Sequence, residues 1–66
     1  MSPELQKTID AVVELVHEIG PQGTPTGPMY SFFMEKGLTL ETFNALVDLA
    51  VRTGKIRKAG FMLYPV

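Results

Sequence analysis

The spacing of apolar residues changes at Gly54. Before it, apolar residues recur at steps of three and four, the spacing of one helix face; after it, Lys55-Ile56-Arg57-Lys58 alternates, the spacing of a strand. At 66 residues the chain has room for one modest core, and about 60% of the unfolded surface is buried in a domain this small. Helices on one side of Gly54 and a ribbon on the other must therefore close around the same apolar centre. The expected class is α+β, mainly α, with one domain over 1–66. The chain has no cysteine, so neither a disulfide nor a thiolate metal site can reinforce it.

Three helices are expected, over about 3–19, 28–36 and 39–53, followed by a hairpin over about 55–64. In the first, Ser2 is a good N-cap, Pro3 suits the first helical position and Gly20-Pro21 stops the helix. Leu5, Ile9, Val12, Val16 and Ile19 form its stripe, and Val13 and Leu15 widen it to roughly 160°. A stripe that broad serves a helix lying across the whole core, or a dimer contact on one flank. Residues 20–28 hold three prolines and three glycines and cannot be helical. Thr24-Pro25-Thr26 can form a short extended piece near 24–26, which its proline restricts to a sheet edge. Thr26 or Gly27 then caps the second helix, with Pro28 in its first turn and Gly37 as a left-handed terminator. Thr39 caps the third, whose core stripe is Leu40, Phe43, Val47, Ala50 and Val51, with Leu46 beside it. In the tail, Ala59-Gly60 is the expected tight turn, Phe61 to Tyr64 the second strand, and Pro65 its end.

The segment Gly37-Leu38-Thr39-Leu40-Glu41-Thr42-Phe43-Asn44-Ala45-Leu46-Val47-Asp48-Leu49-Ala50-Val51-Arg52-Thr53-Gly54-Lys55-Ile56-Arg57-Lys58 resembles the turn, recognition helix, terminating glycine and first wing strand of the winged helix-turn-helix superfamily. The order of elements along nearly the whole chain resembles it too. The resemblance implies a three-helix winged helix-turn-helix with a C-terminal β-hairpin wing. It also implies a binding module, because this superfamily recognises DNA, RNA or other proteins.

For a duplex-DNA partner, the third helix enters the major groove with Glu41, Asn44, Ala45, Asp48 and Arg52 outward, and Thr42 and Leu49 at one margin. Asn44 can pair with adenine and Thr42 can meet a thymine methyl or a phosphate, while Arg52, Lys55, Arg57 and Lys58 hold the backbone. Charge is divided in the same sense. Residues 1–51 carry two lysines against seven acids, a net −5, and residues 52–66 carry four cations and no acid, a net +4. With Lys36 these cations offer roughly 3–5 phosphate contacts, so a homodimer that doubles them is the more credible DNA binder. Glu41 and Asp48 oppose a polyanion, and only Lys58 stands beside the wing tip. The function expected first is transcriptional control by DNA binding.

The alternative is a protein-interaction adaptor. If Ile56 and Leu63 face the core, Met62 and Tyr64 lie outside, joined by Tyr30, Phe32 or Met34 in a patch suited to a protein partner. An enzyme is not expected. Asp10, Glu14, His17 and Glu18 share the polar face of the first helix, but without a cleft they read as a solvated face, and no metal or cofactor is expected. His17 near the helix C-terminus suits the helix dipole when protonated. No apolar run reaches the ~20 residues that cross a bilayer. No membrane partner is expected, and with no secretory pattern at the N-terminus the expected location is cytoplasmic.

Overall fold

Each helix begins and ends where its backbone groups find other partners. The structure, a computed structural model, describes residues 3–66, and the expected cap at Ser2 lies outside that range. Helix α1 spans Pro3–Ile19 and stops where the Gly20 N–H reaches the Val16 carbonyl at 3.0 Å. Strand β1, Thr24–Pro25, leads directly into α2, Thr26–Glu35. Expectation placed the start of α2 two residues later, with a polar cap at Thr26 or Gly27. The N-cap is instead Pro25, which makes no side-chain bond, and both Thr26 and Gly27 are helical. The Thr26 N–H is already taken by the Phe61 carbonyl at 2.8 Å, so the sheet does the work of a cap there.

At the other end of α2, the Gly37 N–H bonds to the Met34 carbonyl and the Leu38 N–H to the Phe33 carbonyl. That pair of bonds is a Schellman motif, and it turns the chain into α3, Leu40–Arg52. Thr39 caps α3 as expected, its hydroxyl accepting the Thr42 N–H at 3.2 Å. The Thr53 hydroxyl closes α3 by donating to the Ala50 carbonyl and accepting the Lys55 N–H.

The tail forms β2, Ile56–Ala59, and β3, Met62–Pro65, which pair antiparallel with Ala59 opposite Met62. The turn is therefore Gly60-Phe61, one residue beyond the expected Ala59-Gly60. Gly60 has φ +61° while no residue other than glycine has positive φ among those described, so the glycine takes the first central position, as in a type II′ turn. Ala59 joins the strand and Phe61 moves to the tip, 84% exposed. Pro65 is the last residue of β3, opposite Ile56. Strand β1 pairs with the other side of β3, giving the order β1-β3-β2 with the Pro25-bearing strand at an edge.

Ile9, Val12 and Val16 of α1, Met29 of α2, Phe43, Leu46, Val47 and Ala50 of α3, and Ile56 and Leu63 of the hairpin form the core. Leu5, Val13, Tyr30 and Phe33 pack around it. Three helices and a C-terminal hairpin thus close on one centre, in the α+β, mainly α arrangement expected from the sequence. Leu40 departs from the expected α3 stripe: at the first helical residue it is 53% exposed. No helix among the described residues is long and apolar enough to cross a membrane.

Candidate functional site

The outward side of α3 is polar because its apolar side closes the core. Glu41, Thr42, Asn44, Ala45, Asp48 and Arg52 are exposed, and Leu49 is half-buried. Thr42 also belongs to the start of the helix. Its N–H goes to the Thr39 hydroxyl, and the two hydroxyls bond to each other at 2.9 Å. With Thr39 donating, Thr42 keeps its own hydroxyl hydrogen and can still give it to a phosphate or a base. Arg52 occupies the last turn, where it also favours the negative end of the helix dipole.

Strand register sorts the hairpin cations. Ile56 and Lys58 fall in the rows of Pro65 and Leu63, on the side that carries the core residues; Arg57 and Ala59 fall in the rows of Tyr64 and Met62, on the other. Arg57 and Lys58 are consecutive in sequence but belong to opposite faces of the sheet. Arg57 sits 4.4 Å from the centroid of the Tyr64 ring, within cation–π range. Arg52, Lys55, Arg57 and Lys58 are all exposed, and none forms an ion pair among the described residues.

The outer face of the sheet rests on Gly23. A methyl group there would stand 2.7 Å from Tyr64 Cε1 and 2.9 Å from Met62 Cε, so the two side chains occupy the space that a side chain at 23 would need. Met62 and Tyr64 are half-buried. Tyr30 belongs elsewhere: its ring lies 5.4 Å from that of Phe43, beside the core. Phe32 turns to a different surface again, with Lys36 Nζ 5.5 Å from its ring centroid. The structure therefore joins Arg57, expected for DNA, to Met62 and Tyr64, expected for protein, and separates Tyr30 and Phe32 from them.

Two features escaped sequence reasoning. His17 Nε2 lies 2.6 Å from the Lys55 carbonyl oxygen, which also accepts the Val66 N–H at 3.0 Å, so one oxygen ties α1 to both ends of the hairpin. The other is a groove between α1 and α2. Glu14 and Glu18, expected on an open solvated face, are among its lining residues, so that face does border a cleft. Nothing local in the sequence marks either feature, since each depends on residues from separate elements. No protein-family model, no curated protein and no solved structure matches the chain.

Proposed function

We propose that the chain is a small winged-helix module that binds duplex DNA in transcriptional control, with α3 toward the major groove and the hairpin on the flanking backbone. The observation that carries this reading is the set of four exposed cations, Arg52, Lys55, Arg57 and Lys58, that follow one another off the end of α3 without an acid partner among the described residues. Unpaired cations at the end of an exposed polar helix suit phosphate, because each one neutralised releases a condensed counterion from the duplex. Arg57 adds direction. A guanidinium held beside an aromatic ring loses less freedom when it meets a phosphate, and it offers two parallel N–H groups. Asn44 supplies the base contact to adenine, Thr42 one to thymine or phosphate, and Glu41 and Asp48 restrict α3 to sites where they meet a cytosine amino group or stand clear of the duplex.

Fluorescence anisotropy with a mixed-sequence duplex at low salt tests the proposal. Binding is expected at about tens of micromolar or tighter, weakening several-fold in Arg57→Ala/Lys58→Ala. Affinity unchanged by that pair of substitutions would remove the hairpin from the interface and the proposal with it. A second reading, protein recognition, draws on the groove between α1 and α2, which none of these four cations lines.

A further inference from the structure

Helices α1 and α2 both pack on α3 and scarcely on each other, which leaves one side of the three-helix triangle open. The opening is a groove of about 590 Å³ with β1 along it at Thr24 and Pro25. Ala11, Leu15 and Ile19 line it from α1, and Pro28, Met29 and Phe32 from α2. Leu15 is 40% exposed and Phe32 56%, so two large apolar side chains border the groove largely open to solvent, Phe32 with Lys36 over its ring. A domain with so small a core gains little from leaving such groups wet, and an apolar concavity is the ordinary form of a docking site.

The lining also carries Glu14 and Glu18, one turn apart on α1. Like charges at that spacing repel along a helix face, and neither carboxylate has an ion-pair partner among the described residues. Two unpaired acids beside an apolar trough define the chemistry of what fits. We propose that the groove receives a short amphipathic helix of another protein, apolar on the docking face and flanked there by Lys or Arg. From Ala11 to Ile19 the α1 wall runs about 12 Å, enough for roughly two turns of a guest helix and for anchors at i, i+3 or i+4, and i+7.

Neither α1 nor α3, among the described residues, offers such a face. Lys7 stands alone among four acids in α1, and α3 sets Arg52 against Glu41 and Asp48. A symmetric contact between two copies through this groove would also bring Glu14 and Glu18 against their own counterparts. The site is separate from the cationic hairpin and stands whether or not DNA is bound.

The test uses the whole chain and two capped synthetic peptides of about 14 residues, long enough to cover the groove. One carries Leu at i, i+3, i+4 and i+7 with Lys beside that stripe; its companion has Glu in place of each Lys. Fluorescein anisotropy should show the Lys peptide binding at roughly micromolar affinity and at least tenfold more tightly than the Glu peptide. Backbone amide shifts should be concentrated between Ala11 and Ile19 and between Met29 and Phe33. Glu14→Gln/Glu18→Gln should reduce the preference to about twofold or less, the fold-change expected when the carboxylates carry it. Leu15→Ser and Phe32→Ser, both at partly exposed positions, should abolish binding with the circular dichroism spectrum unchanged. Arg57→Ala/Lys58→Ala should leave peptide affinity unaltered, which separates this site from the DNA proposal. Equal affinity for the two peptides, or no groove shifts at roughly millimolar peptide, overturns the inference. So does light scattering that finds the free chain dimeric and made monomeric by Leu15→Ser or Phe32→Ser, because a second copy would then be the occupant.

Discussion

Gly23 and its neighbour Thr24 show two opposite residue-scale effects. Gly23 has φ +91°, and Tyr64 and Met62 fill the space beside it. Gly20 has the same φ, but nothing lies within 4 Å of the position a Cβ would take. Alanine at either site meets the strain of a left-handed backbone, about 1 kcal/mol or somewhat more. Only at Gly23 must a rigid ring also move, a further ~1–3 kcal/mol. Urea unfolding should therefore show Gly23→Ala the more damaging by that margin, and equal losses would mean that the Tyr64 ring yields freely. At Thr24 the effect reverses. Its hydroxyl is buried without a hydrogen-bond partner among the described residues, while its β-branched shape suits the strand. Thr24→Val keeps that shape and removes the unpartnered oxygen, so a gain of about 1 kcal/mol is expected, and a measured loss would show that the hydroxyl is satisfied in solution. The sequence marks 20–28 as a breaker run but cannot say which glycine is a socket, because that depends on Tyr64, forty-one positions downstream of Gly23.

Elements were legible wherever one period ran long enough to dominate. Helices α1 and α3 carry uninterrupted stripes bounded by proline, threonine and glycine signals, and both lie where those signals put them. The errors fall where a distant backbone partner or a single residue's φ decides a boundary. Helix α2 starts early because Phe61 satisfies Thr26, and the hairpin turn shifts because Gly60 alone can take positive φ at its first central position. His17 is of the same kind. On the sequence it is a polar residue near a helix end; in the fold it is the bond from α1 to the Lys55 carbonyl. His17→Ala should cost about 1 kcal/mol, the usual net value of one such hydrogen bond. A helix-dipole contact alone would predict a similar loss, so hydrogen exchange has to decide between them. Loss of the Lys55 tie should speed exchange at the Val66 and Tyr64 amides, whereas loss of a dipole contact should affect only the end of α1. His17→Gln, which keeps a donor, should restore part of the protection.

At the scale of the whole molecule the dominant feature is that charge is divided along the chain, −5 over residues 1–51 and +4 over residues 52–66, and that folding leaves the cations of the second part unpaired among the described residues. The division was fully legible in the sequence. Its arrangement was not, because strand register decides that Arg57 and Lys58 point to opposite sides of the sheet. One face of the hairpin can then bring only part of the +4 to a duplex, with Arg52 and Lys55 beside it. A single copy should neutralise about three phosphates, and log Kobs against log salt should fall with a slope near −3, at roughly −0.9 per phosphate. Removing Arg57 should reduce that slope by about one unit, and removing Lys58 by clearly less if the Arg57 side faces the DNA. If Lys58 changes the slope more than Arg57, the opposite face of the ribbon is the one engaged. A slope twice as steep on a duplex holding two half-sites, about one helical turn apart, would show two copies binding together, each through its own α3. A slope near zero would leave the cationic end with no role in binding, and the negative field of residues 1–51 would then repel the duplex unopposed.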